Sequence, residues 1–345
     1  MTKTAAPMTS GSIWKQMTFF AMPIFLGNLF QQLYNTVDSL IVGNFLGSSA
    51  LAAVSSSGSL IFMLIGFLSG ISAGAGVIVA RFFGAGDEKN LQRAVHTTVA
   101  FGLVAGVLMT GVGVALSPQI LRWMDTPESV MRESVTYLQI YFAGSLGFVM
   151  YNVLVGILQA VGDSRHPLYY LIVSSVINLV LDLLFITGFH TGVGGAAVAT
   201  VISQIVSALL CFWQLLRTKE SYGLKIRKIR FDKGILVQII KIGLPSGVQN
   251  SIIAFANVIV QSNINAFGEM AMAGLWGLHK GGRVRFSAHQ QLYYGTDDIC
   301  RTESGCKAGG AHEKRGAIWN SRSSYIGRTD WCRGISSGTT ADRGI

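Results

Sequence analysis

The 345-residue chain is too apolar for a soluble protein of its size, with 50% hydrophobic residues, 13% charged residues and a mean hydropathy of +0.47. Soluble domains carry about 25% charged residues, so this chain has too few charges to cover a surface that faces water. The net charge of +10 does not indicate a nucleic-acid-binding protein, because the basic residues lie in the gaps between apolar segments, where they orient membrane helices.

Seven segments are long and apolar enough to cross a bilayer, which requires about 20 mostly apolar residues. The polar N-terminus lacks the pattern of a cleavable signal peptide, so the first segment is expected to remain as a helix. The prediction is an all-α polytopic membrane protein. In chain order the predicted spans are 17–43, 51–80, 94–116, 135–161, 168–188, 195–216 and 235–267.

Lys and Arg are distributed unequally over the loops between these spans. The N-terminus and the loops on its side carry fourteen of them, whereas the opposite loops carry only Arg122 and Arg132. Positive residues stay in the cytoplasm, so we expect a cell-membrane protein with a cytoplasmic N-terminus. Half of the fourteen lie in the linker 217–234. This linker could bind anionic lipid headgroups or serve only to set the topology, and the regular charge bias favours the second interpretation.

The first and seventh spans share a pattern at a constant offset of 222 residues. Pro23 matches Pro245, and Asn28 and Asn35 match Asn250 and Asn257. A proline inside a spanning helix removes a backbone hydrogen bond and bends the helix. Six spans separate the two copies, so both run in the same direction, which predicts a parallel repeat of two bundles. The predicted domains are a six-helix bundle (1–216), a basic linker (217–234) and the first helix of a second bundle (235–274).

The segment 275–345 does not continue this pattern. It contains no apolar run of spanning length, and it has eleven Lys and Arg residues and six Asp and Glu residues without helical or strand periodicity. A reading-frame shift near codon 274 would produce such a disordered tail, and a genuine soluble tail is the alternative. The loss of pattern in the middle of a repeat favours the frameshift.

Two carboxylates lie inside predicted spans, where a charge is costly and needs a functional or structural reason. Asp38 is in the first span and Asp182 is in the fifth, and Asn178 precedes Asp182 by one helical turn, so that both lie on the same face. A carboxylate removed from water can take up a proton on one side and release it on the other. The same oxygens, with those of Asn178, could instead bind Na⁺. A solvated position near a helix end is the structural alternative, and it is strongest for Asp38.

No motif for enzymatic chemistry or a cofactor is present. The glycines at Gly70, Gly74 and Gly76 lie inside a span and predict close helix packing rather than a phosphate-binding loop. No P-loop is found, so ATP hydrolysis is not indicated. Four cysteines without a C-x-x-C pair predict neither a zinc site nor a disulfide framework. The turn 162–167 is predicted to be structural, with Gly162, Asp163 and Pro167 separating two helices.

Several motifs together resemble the multidrug and toxic compound extrusion (MATE) family over residues 13–274. They are Asn35-Thr-Val-Asp38-Ser-Leu-Ile-Val-Gly43 in the first span, Asp87–Asn90 after the second, the turn from Gln159 to Pro167, Asn178-Leu-Val-Leu-Asp182 in the fifth span, and Gly194 to Thr200 and on to Gln204 in the sixth.

The resemblance implies twelve helices in two bundles and export of cationic, amphipathic compounds in exchange for Na⁺ or H⁺, without a cofactor and as a monomer. By position, Tyr34, Asn152 and Thr200 would join Asp38, Asn178 and Asp182 in the cation-coupling cluster. Five helices of that plan are missing here, so this chain alone is expected not to transport. A lipid-linked oligosaccharide flippase and a membrane scaffold with a soluble tail are the alternatives. Basic residues inside the bundle would favour the flippase.

Overall fold

The computed structural model describes residues 13–265 and 267, and every regular element in this part of the chain is a helix. Eight α-helices follow one another with short turns. They are α1 (Ile13–Leu46), α2 (Ser48–Gly84), α3 (Glu88–Trp123), α4 (Glu128–Ala143), α5 (Ser145–Ala160), α6 (Arg165–Leu183), α7 (Val193–Arg217) and α8 (Lys233–Asn265). A π-helical turn (Leu184–Gly188) extends α6, and a 3₁₀ turn (Ile226–Lys228) lies in the linker. The predicted tail 275–345 and the domain limit at 274 lie outside the described residues.

The all-α membrane architecture predicted from the sequence is confirmed. Within the described residues, five helices are long and apolar enough to cross a membrane, and the pair α4 and α5 adds a sixth if it is counted as one span. α1 has the required length of 34 residues but is not one of the five, because its polar side chains lower its hydropathy. These polar side chains include Gln31, Gln32, Asn35 and Asp38.

The predicted span over 135–161 is not one straight helix. The chain forms α4 and α5 instead, which meet at Gly144 with a bend of 49°. At Gly144 the helix α7 comes so close that a Cβ would overlap the side chain of Val201. The Gly144 amide is shared between the carbonyls of Ile140 and Tyr141, each at 3.2 Å. The bend therefore lies where a glycine admits a neighbouring helix.

The outer surface of α3 shows how the bundle meets lipid. One face exposes Val104, Val107, Leu108 and Val112, with 47% to 61% of each residue accessible. The opposite face of the same helix is buried against the core. A soluble protein would place polar residues on the exposed face, so this apolar stripe is typical of contact with hydrocarbon.

The glycines of α2 pack against α8, as the sequence predicted for a small-residue contact. A Cβ at Gly70 would overlap the Gly247 backbone, and a Cβ at Gly74 would overlap the Gly243 backbone. Gly76 faces α5 instead, where a Cβ at Gly76 would lie 3.5 Å from the carbonyl oxygen of Gly156. Close backbone contact thus joins α8 to the preceding helices.

The turn between α5 and α6 is held by local hydrogen bonds of Asp163. Gly162 has a φ of +89°, and Asp163 N–H donates to the Leu158 carbonyl at 2.9 Å, which closes the C-terminus of α5. The Asp163 carboxylate accepts from the His166 backbone at 3.2 Å and contacts His166 Nδ1 at 2.6 Å. Pro167 is buried in the first turn of α6, where its missing N–H costs nothing.

The structure brings together the loops that the charge pattern assigns to one side. The guanidinium of Arg165, at the start of α6, lies 4.1 Å from the ring centre of Phe19, near the start of α1. At the same end, Asp87 caps α3 by accepting from the Asn90 amide at 3.1 Å. Hydrogen bonds from Asn90 hold the pKa of Asp87 below its usual range.

The two matched prolines lie inside continuous helices, Pro23 in α1 and Pro245 in α8. The equivalent asparagines have different partners. Asn28 donates to the Ile24 carbonyl of its own helix at 3.0 Å, whereas Asn250 donates to the Gly66 carbonyl of α2 at 3.4 Å. The parallel repeat therefore stays a prediction, because only its second copy packs on α2 through this asparagine.

Candidate functional site

The candidate site is built on the C-terminal half of α6. Asp182 is fully buried and Asn178, one turn earlier, is 2% exposed, so the predicted shared face points into the bundle. Both carboxylate oxygens of Asp182 and the amide nitrogen of Asn178 are buried without a hydrogen-bond partner in the described part of the chain. A buried charge in this state costs several kcal/mol unless a proton or a cation neutralises it.

Asp38 and Tyr34 of α1 face this part of α6. α1 packs against α6, and Asp38 is the charged neighbour that acts most strongly on Asp182. Asp38 also acts electrostatically on Tyr34, one turn earlier on the same helix, and on Tyr137 of α4. The structure thus brings the two predicted carboxylates together inside the bundle, which argues against the solvated helix-end alternative for Asp38.

Gln204 of α7 completes the polar lining on the third side. Its Nε2 lies 3.4 Å from the Tyr34 hydroxyl oxygen, to which it donates. Its Oε1 is buried without a hydrogen-bond partner among the described residues. The helices α1, α6 and α7 thus each contribute a carboxylate or amide oxygen to this polar cluster. Such oxygen donors suit a hard cation such as Na⁺.

The donor set differs from that of a transition-metal site. Among the described residues, no three His, Cys, Asp or Glu side chains come together to hold a metal ion. The two acids and the neighbouring amides can take up either one proton or one monovalent cation, since both relieve the repulsion between close carboxylates. The chemistry available here is reversible ion binding.

Two predicted members of the cluster bond to their own helices. The Asn152 amide donates to the Phe148 carbonyl at 2.8 Å, and the Thr200 hydroxyl donates to the Ala196 carbonyl at 3.0 Å. Both residues are half-buried. Their part in cation coupling stays a prediction, whereas Tyr34, Asp38 and Asp182 interact with one another and Asn178 lies on the same buried face as Asp182.

Sequence reasoning missed two side chains and one backbone feature of this site. Tyr137 lies in a stretch of mixed polarity that gave no signal, and Gln204 was noted only as part of a family motif. The π-helical turn Leu184–Gly188 begins two residues after Asp182, where the Phe189 N–H donates to the Leu184 carbonyl at 3.0 Å. Such turns are frequent at functional sites, and no local sequence rule predicts them.

The apolar helices define this chain as a polytopic membrane protein, and acids inside the bundle are typical of transporters. Residues 23–184 match the family model MatE. The chain is 34% identical over 269 residues to the probable multidrug resistance protein YoeA of Bacillus subtilis, covering 76% of this chain and 58% of that protein. It is 25% identical over 263 residues to the multidrug export protein MepA of Staphylococcus saprophyticus, with similar coverage. The chain therefore belongs to the MATE family.

Solved structures show the same relationship. An outward-facing multidrug resistance MATE family transporter superposes with a TM-score of 0.79 at 25% identity, covering 91% of this chain and 70% of that one. A MATE protein in the bent conformation superposes with a TM-score of 0.78 at 26% identity, with the same coverage. The chain spans 58% to 60% of the length of the curated relatives described as multidrug resistance or export proteins.

Proposed function

We propose that this chain provides the cation-coupling half of a secondary active transporter that exports drugs and other xenobiotics in exchange for Na⁺ or H⁺. The observation that carries the proposal is the acid pair inside the bundle: Asp182 is fully buried, Asp38 is half-buried, and the two carboxyl groups interact directly. Intramembrane acids of this kind mark ion pathways and proton relays in transporters.

The remaining parts of the proposal follow from the family. Its relatives carry the names of multidrug resistance and export proteins. We propose small cationic amphipathic substrates, a location in the cell membrane with a cytoplasmic N-terminus, and a monomer that needs no cofactor and catalyses no chemical reaction. The buried negative charge of the site supports a cationic rather than an anionic cargo.

A flippase for lipid-linked oligosaccharides is the second candidate within the same superfamily. Its pyrophosphate substrate would require basic side chains inside the bundle. The charged side chains at the site are the acids Asp38 and Asp182, and the arginines Arg165 and Arg217 lie at helix ends. This distribution favours the antiporter. A membrane scaffold with a soluble tail has no support from the described residues.

The experiment that tests the proposal measures ion binding by the purified full chain in detergent. Thermal unfolding is followed in NaCl and in choline chloride at equal ionic strength and at several pH values. Na⁺ bound only by the folded chain stabilises it by about 2.7 kcal/mol at a hundred times its Kd. A midpoint that rises with Na⁺ indicates Na⁺ coupling, and one that depends on pH but not on Na⁺ indicates proton coupling.

The variant Asp182→Asn keeps the shape of the side chain and removes its charge, so we expect it to abolish whichever response is seen. The matched control is Asp232→Asn, which changes a half-exposed acid of the linker, ion-paired with Arg93. An Asp182→Asn protein that keeps the full Na⁺ or pH response would show that the acid pair is not the coupling site. A wild-type chain with neither response would contradict the proposed mechanism.

A further inference from the structure

The linker between α7 and α8, residues 218–232, is folded onto the bundle rather than hanging free. Leu224 is buried and its N–H donates to the Leu215 carbonyl at 2.9 Å, which turns the chain back along the end of α7. The buried ring of Tyr222 meets Phe83 of α2 edge-on at 6.3 Å, and this burial raises the pKa of Tyr222. The inward face of the linker is thus an extension of the core.

Polar bonds fix the same segment along the first turns of α3. His96 is 3% exposed and has both ring nitrogens engaged, Nδ1 with the Gln92 carbonyl at 2.6 Å and Nε2 with the Lys225 N–H at 3.0 Å. Since the N–H of Lys225 donates to Nε2, the neutral ring must carry its proton on Nδ1. Three further contacts lie on either side, namely Gln92 to the Ser221 carbonyl, Thr97 to the Asp232 N–H and Arg93 to the Asp232 carboxylate.

The outward face of this fixed segment is basic and apolar at once. The exposed cations from residue 225 to the first residue of α8 are Lys225, Arg227, Lys228, Arg230 and Lys233. Between them stand two large apolar side chains that point away from the core, Ile226 at 60% exposure and Phe231 at 48%. We call these seven residues the linker patch. A topology signal needs only the charge, whereas the exposed Ile226 and Phe231 require another explanation.

The position of the linker patch supplies that explanation. It joins the ends of two apolar spans, so it lies where the bilayer meets the cytoplasmic water. At the last residue of α7, the guanidinium of Arg217 lies 4.7 Å from the ring centre of Trp213, which is exposed one turn earlier. Such a pair is typical of the headgroup region. Cations at this depth meet lipid phosphates, and the apolar side chains between them can enter the acyl boundary.

We propose that the linker patch is a preformed binding surface for anionic phospholipid headgroups of the leaflet it faces. Its backbone is already fixed on α3, so binding requires little further ordering of the chain. The proposal depends on the membrane location of the chain and is independent of the ion-coupling function.

Native mass spectrometry of the purified full chain tests this directly, with phosphatidylglycerol and phosphatidylcholine of the same acyl chains as probes. We expect the wild-type chain to retain phosphatidylglycerol preferentially. The variant Arg227→Gln/Lys228→Gln/Arg230→Gln should lose the preference, since each basic residue near an anionic surface contributes about fivefold in affinity. Ile226→Ser/Phe231→Ser should weaken the binding of both lipids while keeping the preference.

The matched control is Arg122→Gln/Arg132→Gln, which removes the two exposed arginines at the opposite end of the bundle and should change nothing. A linker variant that keeps the preference, or a control that loses it equally, overturns the proposal. Should the linker variant fail to fold, the salt dependence of the wild-type chain decides: the preference must fall with rising ammonium acetate. Displacement of the lipid by inorganic phosphate would assign the patch to the free ion and would likewise overturn it.

Discussion

Gln204 is the residue whose substitution best distinguishes a cation site from a polar core without a bound ion. It is 7% exposed, donates to Tyr34 and buries an amide oxygen without a hydrogen-bond partner among the described residues. Leaving a buried acceptor unpaired costs about 1–3 kcal/mol. A stable protein can tolerate this cost where the oxygen binds an ion during function. A role of Gln204 as an ion ligand can therefore be distinguished from a purely structural role.

We expect Gln204→Leu to be close to neutral for the free energy of unfolding without Na⁺, because it removes an unpaired acceptor. In NaCl the variant should show a weaker stabilisation than the wild type, as it lacks one oxygen ligand. Thermal unfolding with and without Na⁺ measures both. Gln214→Leu is the control, since Gln214 lies on the same helix and also pairs with a tyrosine, Tyr170 at 3.2 Å. An equal loss of the Na⁺ response in both variants would count against a ligand role.

The acids of the site could be predicted from the sequence, and its full lining could not. Asp38, Asn178 and Asp182 were found because a carboxylate in an apolar run is costly and therefore conspicuous. Tyr137 and Gln204 are polar residues whose side chains fit many positions. Only the packing of α7 against α1 and α6, and of α4 against α7, places them near the acids. Asn152 and Thr200 carry polar side chains that could bind a cation, but these side chains donate to carbonyls of their own helices.

At the scale of whole helices, glycines determine where a helix bends and where two helices pack closely, which hydropathy does not predict. The order and approximate positions of the spans follow from apolar runs and charges, and five of the predicted spans coincide with described helices that are long and apolar enough to cross a membrane. The bend at Gly144 could not be predicted, because a glycine in an apolar run fits a straight helix equally well until Val201 is known to lie against it. The close contact of α2 with α8 was predictable from the spacing of Gly70 and Gly74, although its partner helix was not.

The α2–α8 contact predicts a strong effect of a single methyl group. A Cβ at Gly70 would meet the backbone of Gly247, which cannot move aside as a side chain can. We expect Gly70→Ala to destabilise the chain by about 1–3 kcal/mol and to speed hydrogen exchange in α8. Gly111→Ala is the control, because no atom lies within 4 Å of its Cβ position. This control should be neutral or stabilising by about 0.5–1 kcal/mol.

Thermal unfolding and hydrogen–deuterium exchange of the two alanine variants, compared with the wild type, measure this difference. If Gly70→Ala and Gly111→Ala behave alike, the two helices do not pack as closely as described. Because α8 contacts α2 backbone to backbone, a motion of α8 relative to α2 would have to change this contact.

For the whole molecule, the turns between the helices lie at two opposite ends of the bundle. The α2–α3 turn, the α5–α6 turn and the linker lie at one end, as the contacts of α3 with the linker show. The turns at Gly47, at 124–127 and at 189–192 lie at the other. The charge asymmetry follows the same division, so the orientation in the membrane can be tested at the two ends of α3.

In a background without the four cysteines, we expect Glu128→Cys, just after α3, to react with a membrane-impermeant maleimide in intact cells. Lys89→Cys, at the start of α3, should react only after permeabilisation, and so should Lys219→Cys in the linker. All three wild-type residues are exposed, so access is governed by the bilayer and not by burial. Reaction of Lys89→Cys in intact cells with protection of Glu128→Cys would reverse the orientation. The linker patch would then face away from the cytoplasm, and the chain would not follow the positive-inside rule.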